Sequence, residues 1–326
     1  MSVTHHITMS NIDSIDCLTS ELASLEPTEV EVPTGNPTIA VLTRSEPRHR
    51  RFACRIQQAF GERVVRWYEI RNEPSASSYQ SRVERFLKTG VRYMRERSFR
   101  EILKAPRKLA LKVYRNMSSS EEEKHRRRLE KAKEKVVEPS LPELVKSAHL
   151  EPQPVTNPNS DAFASRLHEV SPMFLLTSGG ELYRPKIIDA ADVAINQHAG
   201  WSPHYKGTGT IYWALYHRDI RRLGSTVHLL NEGADAGAIF MRSFPALTGN
   251  ETPEECFLRV VVLGTELMIG VVEQLCGSGR VTAYRQEDRV GRTYTSADMD
   301  EALFRRLRCD LEDEILSDLL DRMCSY

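Results

Sequence analysis

The chain has 326 residues, in which 45 lysines and arginines balance 45 aspartates and glutamates. Such a balance gives no net field that would select nucleic acid for the molecule as a whole. No run of about eighteen apolar residues occurs, which argues against a membrane-spanning helix. The N-terminus lacks the basic and apolar regions of a signal peptide, so a cytoplasmic protein is expected. Cys17, Cys54, Cys256, Cys276, Cys309 and Cys324 are scattered without a Cys-x-x-Cys pair, and they read as reduced thiols rather than a zinc site or disulfide frame.

Residues 1–36 are polar and acid-rich and read as a flexible tail, with a short helix expected over 11–25. Residues 38–43 form a β-rich apolar run, and Phe52, Ile56 and Phe60 then recur at helical spacing. The loop between them, Arg44-Ser45-Glu46-Pro47-Arg48-His49, would lie at the carboxyl end of a strand, where open α/β sheets place ligands. Its basic groups have two readings of equal weight, a solvated helix start or recognition of an acceptor's phosphate. It lacks a Gly-x-Gly-x-x-Gly fingerprint, so a nicotinamide cofactor is not supported. Residues 63–70 are a second strand, and strand, helix, strand in succession favours a parallel sheet.

Residues 81–137 depart from this pattern. Arg82, Arg85, Lys88, Arg92 and the basic residues after them outnumber the acids, and apolar positions such as Phe86, Val91 and Met94 make the region amphipathic. Ser118-Ser119-Ser120 followed by Glu123 resembles a capping box for a charged helix over 121–136. The region reads as a basic helical insertion. A solvated arm or subunit-packing element is favoured over contact with a phosphorylated ligand, RNA or an anionic membrane surface.

A loop is expected over 154–159, a helix over 161–170 and a buried strand over 173–177. Thr252-Pro253-Glu254-Glu255 opens another helix with an N-cap, a first-turn proline and a capping-box carboxylate, and Gly277 is expected to stop it. Residues 281–294 read as a short strand and loop. Residues 296–324 form an amphipathic helical tail in which Leu303, Phe304 and Leu307 cover the domain or a partner subunit.

The chemistry concentrates in the middle of the chain. Asn196 and His198, two apart on an extended segment, point to the same side. Asp235 follows an apolar run over 225–230 that reads as a neighbouring strand, so its carboxylate could reach the imidazole and favour its charged form. An amide, an imidazole and a carboxylate suit attack of an amine on an acyl carbon: the oxyanion needs donors, and the attacking nitrogen must lose a proton. Taken alone, the Asn-x-His pair is more often a turn residue beside a surface histidine.

The whole order is more specific. Asn196-x-His198, Pro203-x-Tyr205-Lys206-Gly207, the aromatic helix around Trp213, Gly224-x-Thr226-Val227-His228 and Asp235-x-Gly237 together resemble the folate-dependent formyltransferase family, which includes the glycinamide ribonucleotide, methionyl-tRNA and sugar N-formyltransferases. The resemblance is strongest over about 174–277. It implies a Rossmann-like α/β fold, a mostly parallel sheet with helices on both faces, here carrying the basic helical insertion and the helical C-terminal tail. The catalytic domain would span 37–283 and the extension 284–326.

The resemblance further implies transfer of a formyl group from 10-formyltetrahydrofolate to a primary amine without a metal. Asn196, His198 and Asp235 would be catalytic, with Thr226 as a supporting hydroxyl. Leu182 and Tyr183 would border the folate pterin on one side, and Leu230, Asn231, Glu232 and Gly233 on the other. Ser45 and Lys206 are the expected acceptor contacts. The tail is too short for the extra barrel of the methionyl-tRNA enzymes, so the expected partner is a small-molecule amine, foremost a nucleotide-linked amino sugar; nucleic acid is not expected, and a homo-oligomer is left open. Two alternatives stand beside this reading. One is hydrolysis of 10-formyltetrahydrofolate with the same trio, although such hydrolases usually carry an N-terminal regulatory domain that 36 residues cannot form. The other is a non-catalytic folate-binding or scaffold protein.

Overall fold

A computed structural model describes residues 22, 24–33, 35–71, 121–287, 290–312 and 316–317. Much of the expected helix over 11–25, the insertion up to residue 120 and the end of the tail lie outside the described residues. The centre is a nine-stranded sheet built from β1 (Pro27–Glu31), β2 (Ile39–Arg44), β3 (Val64–Ile70), β4 (Gln153–Val155), β5 (Phe174–Ser178), β6 (Val193–His198), β8 (Ser225–Leu229), β9 (Ile239–Ser243) and β10 (Arg280–Tyr284), in the order β1-β10-β9-β8-β6-β5-β2-β3-β4. β7 (Tyr205–Gly207) and β11 (Arg292–Tyr294) pair separately.

β2 to β6 run parallel, and β8, β9, β10 and β1 continue the sheet antiparallel. The apolar runs become central strands because alternate side chains feed two cores. Ile39, Val41, Phe174, Leu176, Val193 and Ile195 join one cluster, while Ala40, Leu42, Leu175 and Ala194 join another. The first cluster is covered by α1 (Pro47–Phe60), α3 (Leu141–Ser147) and the long α7 (Pro253–Ser278); the second is covered by α4 (Asp161–Val170) and the single turn α5 (Pro185–Ile188). Each fully buried Leu, Ile or Phe contributes about 1.5–3 kcal/mol, which ties the sheet to both helical layers.

Several expectations change. Residues 27–31 are not tail: β1 pairs with β10 at the sheet edge, and Val30, opposite Val281, packs against the first core. The helix begun by the Thr252 capping box passes through Gly277 and ends at Gly279, whose φ of 71° gives the left-handed cap. Residues 154 and 155, expected in a loop, belong to β4, and residues 281–294 contain most of β10 and all of β11.

The described part of the basic insertion, α2 (Glu121–Val136), is not a solvated arm. Ala132 and Val137 pack with Leu258, His125 Nδ1 lies 2.7 Å from Glu254 Oε1, Arg128 Nε donates to the same oxygen at 2.9 Å, and Lys135 Nζ donates to Glu255 at 2.9 Å. Glu254 and Glu255 suit the positive end of α7 but come out of water when it packs, and the basic face of α2 supplies their counter-charges. Of the tail, α8 (Glu301–Glu312) buries Leu303, Phe304 and Leu307 against Tyr212, so it covers this domain.

His49, on α1, is 4% exposed, and a backbone hydrogen bond at Ser178 only partly offsets its burial. Burial, reinforced by Arg48 and Arg44, holds its pKa well below the ordinary imidazole value. The unfolded chain therefore binds a proton first, and stability present above about pH 6.5 is lost as pH falls towards the folded-state value. His49→Leu is expected to flatten the decline in stability between about pH 6.5 and 5, measured by urea unfolding at several pH values.

Candidate active site

The parallel strands β2, β5 and β6 end at one edge of the sheet, which brings Arg44, Ser178 and His198 to the same side. Asn196 and His198 lie within β6, two residues apart, and both are buried. Asp235 lies in the loop after β8 and closes over them. Its Oδ2 is 3.2 Å from His198 Nδ1 and accepts the Gly207 N–H at 2.7 Å; its Oδ1 accepts from Asn196 Nδ2 at 3.4 Å and lies 3.4 Å from His228 Nε2. The structure thus brings the three predicted side chains together.

Asn196 is fixed from both ends. Its Oδ1 accepts the Thr177 hydroxyl at 2.7 Å, which directs Nδ2 towards Asp235 and towards His228 Nε2 at 3.1 Å. His198 Nε2 lies 2.9 Å from the Tyr205 carbonyl. Since a carbonyl only accepts, Nε2 carries a proton, and the second proton of a charged ring would sit on Nδ1 against Asp235. A Cβ at Gly200 would come within 2.1 Å of His198 Nε2, so this ring position requires glycine in the turn after β6.

The electrostatics oppose one another within the pair. Burial pulls the His198 pKa below its ordinary value, against the pull of the Asp235 carboxylate and the Tyr205 carbonyl. Burial alone would raise Asp235, but His198, His228 and the Gly207 N–H outweigh it and hold the carboxyl well below the usual range. Burial thus opposes the charging of His198 that Asp235 favours, while the Asp235 carboxyl is held ionised 3.2 Å from His198 Nδ1.

Thr226 supports the turn after β6. Its Oγ1 donates to the Gly200 carbonyl at 2.7 Å and accepts from the Ser202 N–H at 3.1 Å. Leu182 is 59% exposed, a large apolar side chain left open, while Tyr183 is buried. The Leu182 carbonyl already accepts from Asn159 Nδ2 at 2.9 Å. Across the site Leu230 is half-buried, with its N–H bonded to the Ala194 carbonyl, and Asn231, Glu232 and Gly233 are exposed in a loop that the Asn231 side chain tightens. Ser45 is exposed at the end of β2, and Lys206 sits on β7 next to Gly207.

His228 has no assigned role in the sequence reading. It faces Asn196 because the two are register partners on the antiparallel strands β8 and β6. The signal was its place, like Asn196, at alternating positions of a strand, but only the pairing register identifies the partner.

A profile of the formyl transferase family matches residues 97–272. The methionyl-tRNA formyltransferase of Desulfotalea psychrophila is 28% identical over 155 residues, covering 47% of this chain and 47% of that protein. The methionyl-tRNA formyltransferase of Sulfurimonas denitrificans is 37% identical over 79 residues, covering 24% of this chain and 26% of that protein. The chain thus spans about half or less of the length of these curated relatives. Among solved structures, a 4-N formyltransferase from Francisella tularensis aligns with a TM-score of 0.47 at 13% identity, over 82% of this chain and 86% of that one. Glycinamide ribonucleotide transformylase 1 from Symbiobacterium toebii aligns with a TM-score of 0.44 at 15% identity, over 75% of this chain and 90% of that one. With more than half of its residues matched by the profile, the chain belongs to the formyl transferase family.

Proposed function

We propose that the protein is an N-formyltransferase that moves the formyl group of 10-formyltetrahydrofolate to a primary amine. The observation that carries this is the convergence of Asn196, His198 and Asp235 at the carboxyl edge of the sheet, with Asp235 bonded to or facing both of the others.

In this reading the folate lies between the Leu182–Tyr183 backbone and the loop from Leu230 to Gly233. The amine nitrogen attacks the formyl carbon and its lone pair forms the new C–N bond, while the carbonyl π electrons move to oxygen. Asn196 Nδ2 exchanges its long contact with Asp235 for this oxyanion, since a 3.4 Å bond is the least costly of its partners to release. The proton shed by the attacking nitrogen passes through water to His198 Nδ1, where the imidazolium can donate to Asp235 while Nε2 stays on Tyr205. Collapse of the intermediate breaks the bond to folate N10, which takes up a proton, and leaves the formamide. Asp235, whose depressed pKa makes it a poor base, remains an anion throughout.

The proposed acceptor is a small amine carrying an anionic group, with a nucleotide-linked amino sugar foremost; Arg44 and Ser45 at the same edge, and Lys206 on β7, support an acidic moiety there. Incubation with 10-formyltetrahydrofolate labelled at the formyl carbon and a panel of nucleotide-linked amino sugars tests this by mass spectrometry. Label in a new formamide is the expected result. Label only in formate would favour hydrolysis, and folate binding without release would favour a non-catalytic protein.

A further inference from the structure

The chain beyond β10 returns to the site from outside the stretch matched by the family profile. Gln286 lies just past β10, and its Nε2 donates to two backbone carbonyls, that of Asp235 at 2.8 Å and that of Gly237 at 2.6 Å. A primary amide has two N–H groups, so the donor capacity of Gln286 is spent on the loop that carries the carboxylate.

That loop needs holding. Asp235 has a φ of 50°, in the left-handed region that costs a non-glycine residue about 1–3 kcal/mol and persists only when the surroundings impose it. An aspartate can ease this conformation by bonding its own backbone, but here the carboxylate is committed to Gly207, Asn196 and the two histidines. The constraint on the backbone therefore has to come from elsewhere. On the other side β11 pairs parallel with β7, register Tyr294 to Gly207, and this sets the strand whose Gly207 N–H meets Asp235 Oδ2.

We propose that Gln286 is a positioning residue for Asp235: by holding the Asp235 and Gly237 carbonyls it keeps the loop in its left-handed turn and aims the carboxylate between His198 and the Gly207 N–H. The segment after β10 thus grips Asp235 at its backbone through Gln286 and at its carboxylate through the β11–β7 pair. This rests on the reading of Asp235 as part of the formyl-transfer site.

The test uses the full chain with ¹⁵N-labelled histidine. The His198 ring is titrated by NMR, and tetrahydrofolate release from 10-formyltetrahydrofolate is followed in the presence of an amine-rich metabolite extract, for wild type, Gln286→Ala, Gln286→Leu and Asp235→Asn. Gln286→Ala and Gln286→Leu, neither of which supplies a donor, are expected to shift the His198 titration in the same direction as Asp235→Asn. They are also expected to slow release about tenfold to a hundredfold, the scale on which a misplaced group acts. If Asp235→Asn changes both readouts while both Gln286 variants match wild type, or differ from it only in melting temperature, the inference about Gln286 is overturned and the reading of Asp235 stands. If Asp235→Asn itself leaves both readouts at wild type, the reading of the site fails.

Discussion

Asp235→Asn is expected to lower the rate of formyl transfer about a thousandfold, within the range for loss of a group that supports proton transfer. The amide can still accept the Gly207 N–H, so the loop keeps its place, but the fixed negative charge beside His198 and His228 is gone. In single-turnover kinetics the loss should appear in the chemical step, with 10-formyltetrahydrofolate bound nearly as well. The same substitution has a stability signature. Because the folded-state pKa of Asp235 is depressed, its ionised form stabilises the protein above the ordinary carboxylate value of about 3.9, and this contribution is lost as pH falls below it. Asp235→Asn should therefore flatten the acid limb of the stability curve as well as silence the reaction. A variant that lost stability equally at every pH would indicate a packing defect instead.

The second large effect is expected at Gly207. It has a φ of 87°, and a Cβ there would lie 2.1 Å from the Tyr294 carbonyl oxygen. Neither the turn nor the backbone of β11 can yield cheaply, because β7 and β11 are paired through Tyr205, Lys206 and Gly207. Gly207→Ala should cost about 3 kcal/mol, the sum of a left-handed alanine and a displaced strand. It should also withdraw the N–H that anchors Asp235, so transfer should fall towards the level of Asp235→Asn. Urea unfolding and turnover on the same sample check both halves. Full activity with an unchanged unfolding midpoint would contradict the geometry.

The parts of the molecule legible in the sequence are those in which one residue type dominates a local pattern. The runs expected at 38–43 and 173–177 become central strands because Ile39 to Leu42 and Phe174 to Leu176 have apolar layers to enter on both faces, and Thr252 with Glu255 sets a helix start that depends only on neighbours. Asn196 and His198 share one side through two-residue spacing in a strand, and Asp235 at the exit of the next strand could reach them, but it is the order of the whole constellation, through its family resemblance, that singles the three out. β1 was not legible, since Pro-Thr-Glu-Val-Glu is polar enough to read as tail and is strand only because β10 offers an edge. The docking of α2 was hidden as well: its basic residues resemble a solvated face until Glu254 and Glu255 arrive from α7. His228 and Gln286 depend on strand register and on a contact spanning 51 residues, which no local spacing encodes.

The claim that Asn196 and Asp235 act as one unit with His198 on the formyl carbon is tested most directly by label-transfer rates for wild type, Asn196→Ala, Asp235→Asn and the double variant. Groups that act as a unit lose most of their effect with the first substitution. The double variant is expected to be about as slow as the slower single one, with folate binding retained in all four. A double variant slower by the product of the two single effects would mean that the side chains act independently, and the site as described would be wrong.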